Sequence, residues 1–175
     1  MSSNGKLLLA RRDGVNVLKF RGEIRLALAP TLATFVSQIG SSGEVDSIVI
    51  DMSEVACIDS TMLGMLAKVS LRSQEVLSSV PTIISPVEDI TRILISMGFD
   101  SIFAITGTAD GEPPTEGELP TQIASDDELC EQVIEAHRVL MSLNQANEDT
   151  FRDLVESLEN EQLAQQIESP IRAVR

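Results

Sequence analysis

The chain has little of what most chemistry needs. Its 175 residues include two cysteines and one histidine. Cys57 and Cys130 alone cannot build a disulfide framework, so a reducing cytoplasm is the expected setting. His137 has no second histidine or paired cysteine at ligand spacing, which argues against a zinc site. It is expected to be a helix-surface or packing residue. There is no glycine-rich phosphate loop or dinucleotide motif, and no serine sits in a G-x-S-x-G elbow, so neither a cofactor nor nucleophilic hydrolysis is expected. No apolar run approaches the roughly 18–20 residues of a membrane span. The segment Met1–Lys6 lacks the apolar core and cleavage site of a signal peptide. A soluble, cytoplasmic protein without enzymatic activity is the expectation.

What is present is a hydrophobic fraction of 43%, enough for a core, in a length that suits one domain with an appendage. The net charge of −14 is uneven: residues 1–106 carry −2 and residues 107–175 carry −12. Phosphate contacts need clustered cations, so nucleic acid is an improbable ligand. The acidic C-terminal part favours a basic protein partner, the plainer alternative being that it keeps the protein soluble.

Leu7–Leu9 and Val15–Phe20 flank Asp13-Gly14, and an Asp-Gly pair between apolar runs reads as a hairpin turn. Gly22 breaks the chain. Pro30 stands where a first helical residue belongs, Leu32, Phe35, Val36 and Ile39 follow at helical spacing, and Gly40 and Gly43 end the helix. Ile48, Val49 and Ile50 form a buried strand that runs into a loop. A second helix opens at Thr61 and carries Leu63, Leu66, Ala67, Val69 and Leu71 to about Gln74. Thr82–Ile84 is a short strand. Ser85-Pro86-Val87-Glu88 predicts a helix start with Ser85 as N-cap and Glu88 completing a capping box. Ile90, Ile93, Leu94 and Met97 form its stripe, Gly98 its stop, and Ile102–Ile105 the last strand. This order predicts an α/β domain over residues 6–106, with a mixed, mainly parallel sheet of about five strands and an antiparallel edge hairpin.

Residues 107–124, with Pro113-Pro114 and Pro120, read as a linker. Helical spacing returns over 125–168 as an acidic helical hairpin. Ser125-Asp126-Asp127-Glu128 forms a capping box ahead of Leu129, Val133, Ala136, Leu140 and Leu143. Asn147 is expected to cap the second helix, with Phe151, Leu154, Val155 and Leu158 on one face. Two such helices need a further surface for their apolar sides. The α/β domain, a second copy in a homodimer and a partner protein are all open.

The informative stretch is Asp59-Ser60-Thr61, placed where the second helix begins. A serine hydroxyl there faces free backbone N–H groups, and a helix N-terminus tolerates an anion, which suits a reversible phosphate. The plain alternatives are an N-cap role for Ser60 and a capping-acid role for Asp59. Thr61 is the neighbouring hydroxyl. Asp51 invites comparison with a receiver domain, which would also need an early acidic pair and a late lysine. Arg11-Arg12 and Phe103-Ala104 stand near those places, so Asp51 is expected instead to fix the loop carrying Ser60.

Asp59-Ser60-Thr61-Met62-Leu63-Gly64, with Ile50–Val55 before it and Gly98-Phe99 after, resembles the signature of STAS domains of the anti-sigma factor antagonist family. The resemblance covers roughly residues 6–105. The family pattern is Asp-Ser-Ser/Thr-Gly-aliphatic-Gly. Met62 replaces the first glycine, whereas Gly64 is kept where helix propensity alone favours alanine. The resemblance implies that Ser60 is phosphorylated, with Thr61 as second choice, and that Asp59, Ser60, Thr61, Met62 and Met65 form a partner-binding surface. It implies an anti-sigma factor or switch-protein kinase as partner and a PP2C-type phosphatase that restores the serine. A phosphate adds about −1.5 to −2 charge beside Asp59. A coupling of about 1–3 kcal/mol then changes affinity roughly 5–150-fold. Two other readings are a STAS subunit of a transporter or lipid-trafficking complex without a phospho-switch, and a nucleotide-sensing STAS module.

Overall fold

The computed structural model describes residues 4–109 and 116–172, with side chains through Glu168. Met1–Ser3, Pro113-Pro114 and the last residues lie outside the described residues. Strands β1 (Lys6–Arg12) and β2 (Val15–Ile24) form the expected hairpin, paired antiparallel from Lys6 opposite Arg21 to Arg12 opposite Val15. Asp13 and Gly14 both take positive φ, 50° and 78°, as a two-residue turn matched to strand twist requires.

A 3-10 turn at Leu26–Leu28 leads into α1 (Ala29–Gln38), so the helical trace starts just ahead of Pro30. Strand β3 (Ser47–Ile58) pairs parallel to β2 and is longer than the sequence reading. The segment after Ile50 is not a loop. It stays in the ladder through Ile58, with irregularities opposite Lys19/Arg21 and Gly22/Glu23. Helix α2 (Ser60–Leu77) follows, then β4 (Thr82–Ile84) and α3 (Glu88–Ser96).

Ser85 does not cap α3. Its N–H donates to the Thr106 carbonyl at 2.8 Å, keeping it tied to the sheet, so the helix starts at Glu88 with Val87 as N-cap. The Ser85 hydroxyl meets the Thr91 hydroxyl at 2.8 Å instead. Strand β5 (Ala104–Thr106) starts later than expected, because the Phe103 N–H is bonded to the Phe99 carbonyl at 2.8 Å in the preceding 3-10 turn.

Among the described residues, the mixed sheet has six strands in the order β5-β4-β3-β2-β1-β6. The sixth, β6 (Gly117–Glu118), arises within the segment read as a linker and pairs with the outer edge of β1. After leaving β5, the chain therefore reaches the opposite edge of the sheet before α4 (Asp126–Leu143) and α5 (Gln145–Arg172).

Leu18, Phe20, Ile48, Ile50 and Ile83 of the sheet pack with Leu32, Leu63, Leu66 and Leu94 of the helices in one continuous core. By strand alternation, Lys19, Arg21 and Asp51 fall on the other face. There the Lys19 ammonium meets Glu54 at 3.2 Å, Glu116 at 3.7 Å and Asp51 at 3.9 Å.

The hairpin docks on the α/β domain. Ala136, Leu140 and Phe151 belong to the same core as the sheet, and α4 lies along α2. Helix α4 begins at the Ser125/Glu128 capping box, with Ser125 N–H to Glu128 Oε2 at 2.9 Å and Glu128 N–H to Ser125 Oγ at 3.2 Å. The cap of α5 falls to Asn144, whose Oδ1 accepts from the Asn147 N–H at 2.8 Å. Asn147, expected as that cap, is buried and ties the corner to its surroundings, its Nδ2 donating to the Met97 and Leu140 carbonyls at 2.9 and 2.8 Å.

Candidate functional site

Since β3 runs through Ile58, Asp59 alone joins the central strand to α2. Its backbone is extended (φ −87°, ψ 167°), the conformation of an N-cap. Its carboxylate is committed on both sides. Oδ1 accepts from the Met62 N–H at 2.9 Å and Oδ2 from the Leu26 N–H at 2.7 Å, so one side chain ties the start of α2 to the turn ahead of α1. The Asp59 N–H also donates to the Ile24 carbonyl at 3.0 Å. Asp59 is thus a capping acid and a brace, and the Ser60 hydroxyl is oriented by another group.

That group is His137. Ser60, the first residue of α2, is half-buried, and its Oγ lies 2.8 Å from His137 Nε2. His137 Nδ1 lies 2.7 Å from the Val133 carbonyl. A carbonyl only accepts, so Nδ1 carries a proton, and in the tautomer with that single proton Nε2 accepts from the Ser60 O–H. The ring is 2% exposed and meets Phe151 of α5 edge-on, with centroids 5.0 Å apart. Only the packing half of the sequence expectation for His137 describes it. It is no surface residue, and it acts across 77 positions on the candidate serine.

The other residues expected at the partner surface lie inside. Thr61 is 6% exposed, and Met62 and Met65 are 0% exposed. As folded, the three present no contact surface, because every residue from Thr61 to Ala67 is buried between the sheet on one side and α4 on the other. The closest approach is at Gly64. A Cβ built there would stand 2.2 Å from the Ala136 carbonyl oxygen, so only glycine lets the two backbones meet. One turn further on, Lys68 Nζ pairs with Glu135 at 2.8 Å.

A sequence signal for this arrangement exists. From Thr61 to Ala67 α2 has no charged side chain, and a helix apolar all round must be covered on both sides. Its partner could not be read off, because α4 follows a segment whose path the residues do not dictate.

Asp51 is not part of the site. Its Oδ1 accepts from the Ser53 N–H at 2.9 Å within β3, and it faces Lys19. Nearer to Asp59, the exposed Arg25 guanidinium is raised above its ordinary value, chiefly by its hydrogen bond to Glu23. Among the described residues, no cluster of His, Cys, Asp or Glu is arranged to hold a metal ion, and no helix is long and apolar enough to cross a membrane.

Residues 6–110, more than half of the chain, match the family described as the STAS domain. Among solved structures, the chain is similar to an anti-sigma factor antagonist from Mycobacterium paratuberculosis. The identity is 25% and the TM-score 0.52, covering 63% of this chain and 93% of that one. It is also similar to the anti-sigma factor antagonist SpoIIAA in its unphosphorylated form, at 16% identity and a TM-score of 0.47, covering 61% and 91%. The Bacillus cell fate determinant SpoIIAA in the phosphorylated form gives 15% and 0.47, covering 57% and 90%. No curated protein matches. The stretch matched to the family ends before α4, so the hairpin on Ser60 lies outside it.

Proposed function

The chain belongs to the STAS domain family, and on that premise we propose that it is an anti-sigma factor antagonist whose partner is switched by phosphorylation of Ser60. With a free Ser60 hydroxyl it binds an anti-sigma factor, one that also acts as its kinase, and so releases a sigma factor for transcription. Phosphorylated, it lets the anti-sigma factor go, and a PP2C-type phosphatase restores the serine. The chain catalyses nothing itself and works in the cytoplasm.

The observation that carries this reading is the position of Ser60: first residue of α2, directly after the N-cap Asp59, at the end of the central strand of a STAS domain. The similar structure from Mycobacterium paratuberculosis, described as an anti-sigma factor antagonist, supports it. The physics is local. Phosphoserine brings about −1.5 to −2 charge. Asp59 cannot swing away from it, because both carboxylate oxygens hold backbone N–H groups. A partner surface shaped for a neutral hydroxyl then meets like charge and a desolvation cost.

The test compares tagged Ser60→Ala and Ser60→Asp chains in the source cell's extract, with recovered proteins identified by mass spectrometry. The alanine form is expected to recover an anti-sigma factor kinase and the aspartate form to lose it. Equal recovery by both, with no phosphate on Ser60 of the natural chain, would remove the switch.

A further inference from the structure

We infer that the α4–α5 hairpin is a built-in competitor of the partner: it sits on the N-terminal turns of α2 and must lift away before Ser60 can be phosphorylated or gripped by another protein. The inference rests on Ser60 being the switch residue and adds how that residue is guarded.

Geometry carries the argument. The Ser60 O–H already has a partner, His137 Nε2 at 2.8 Å, so its hydrogen-bonding direction points into α4 rather than outward. His137 cannot turn aside freely, because its other nitrogen is held by Val133 and its ring by Phe151. A phosphoryl group on Oγ needs room for three oxygens and their counter-charges. What faces that position is a 2% exposed imidazole on α4, already committed to Val133, and next to it in the chain is the committed Asp59 carboxylate.

Nor can α4 yield a little to make room. Backbone meets backbone at Gly64 and Ala136, one turn beyond Ser60, where even a methyl group would stand 2.2 Å from a carbonyl oxygen. Packing this close has no slack, so the helix either stays or leaves as a body.

The hairpin is also built to leave as a unit. It lies beyond the stretch matched to the family and follows the 107–124 segment. Its helices hold each other through the His137–Phe151 contact and the Arg138–Glu159 pair. It is held on the domain by the apolar side chains of Ala136, Leu140 and Phe151 and by four specific contacts, Gly64–Ala136, Ser60–His137, Lys68–Glu135 and Asn147–Met97. Because α4 is itself the helix that fits α2, the surface it covers takes a helix with a small residue opposite Gly64, and a partner binding there has to supply one.

Hydrogen–deuterium exchange of the full chain tests this in three forms: natural, carrying phosphoserine at position 60 introduced during synthesis, and Gly64→Ala. In the natural chain the Ile134–Leu140 amides are expected to exchange slowly. Phosphoserine at 60 should speed them about tenfold or more while β2 and β3 remain slow. Gly64→Ala should do the same without any added charge. Unchanged or slower exchange of Ile134–Leu140 in the phosphorylated chain would overturn the inference, since phosphate and docked helix would then coexist, with His137 as the phosphate's partner. So would loss of protection in sheet and hairpin together in both altered forms, since the hairpin would then be an inseparable part of the core.

A partner assay separates this inference from the reading it rests on. Ala136→Leu, which crowds α4 off Gly64 while leaving the α2 surface unaltered, should recover more anti-sigma factor than the natural chain, and equal recovery would overturn the competition. If the Ser60→Ala chain recovers no anti-sigma factor either, the antagonist reading fails, while the exchange result still decides whether phosphate lifts the hairpin.

Discussion

Ser60 Oγ and His137 Nε2 stand 2.8 Å apart across the α2–α4 contact, joining the first residue of the signature helix to the only histidine in the chain. This single bond couples the candidate phosphorylation site to the extension that the family match does not include, and it makes the stability of the docked hairpin depend on the state of Ser60.

His137→Ala should therefore destabilise the protein by about 2–4 kcal/mol, because it removes a buried ring, its edge contact with Phe151 and two hydrogen bonds. Ser60→Ala should cost about 1 kcal/mol, leaving Nε2 without its donor. The double variant should cost less than the two together, by a coupling of about 1 kcal/mol. Chemical denaturation of the four chains measures this. Strict additivity would mean that the bond holds nothing.

Asp59 separates capping from bracing. Asp59→Asn keeps an oxygen for the Met62 N–H but turns an NH₂ toward the Leu26 N–H, so one of the two bonds is lost. Asp59→Ala loses both. The expected costs are about 1 kcal/mol for asparagine and about 2–3 kcal/mol for alanine. Equal costs in thermal or chemical unfolding would show that the contact to Leu26 contributes nothing.

On the far face of the sheet, Glu54 supplies a pH prediction. Hydrogen bonds from Arg21 first and Lys19 next hold its carboxyl below the ordinary carboxylate value. A depressed folded-state value means that the stabilisation is fully present above the unfolded value and lost as pH falls through the folded one. Glu54 is 44% exposed, so screening reduces the effect to about 0.5 kcal/mol. The advantage of the natural chain over Glu54→Gln should be present at neutral pH, shrink on acidification below about pH 4, and be smaller in high salt. Denaturation midpoints across that range read it directly.

Much of this fold was legible because local chemistry decided it. The Asp13-Gly14 hairpin, the apolar strands and the Ser125 capping box each follow from a few adjacent residues. The family signature singles out Asp59-Ser60-Thr61 from adjacent residues alone. What could not be read depended on contacts between distant segments. The apolar run ends at Ile50 while the strand runs to Ile58, because the pairing of the polar Asp51 and Glu54 with β2 is a tertiary fact. Ser85 carries a sound capping sequence, but the Thr106 carbonyl claims its N–H. Nothing local to Met62 and Met65 says that α4 returns to cover them. His137 looked unremarkable for the same reason: its chemistry depends on a serine far away in the chain.

The corner of the hairpin gives the last prediction. Asn147 is 3% exposed and gives both protons of its amide to carbonyls, those of Met97 and Leu140. Asn147→Ala leaves these acceptors without donors and should cost about 2 kcal/mol. Asn147→Asp has nearly the same shape but places a carboxylate against two carbonyl oxygens in a buried site, so at neutral pH it should cost more than alanine, about 3 kcal/mol or above. Protonation relieves the clash, since a neutral carboxyl has an O–H to donate. The folded state of this variant then binds a proton more tightly than the unfolded chain, which raises the aspartate's folded-state value and makes stability rise as pH falls. Between pH 7 and about pH 5 the Asn147→Asp chain should gain on the natural one, opposite in direction to the Glu54 effect. A loss no greater than that of alanine, with no pH dependence, would place Asn147 at a hydrated edge of the hairpin rather than at its anchor to α3.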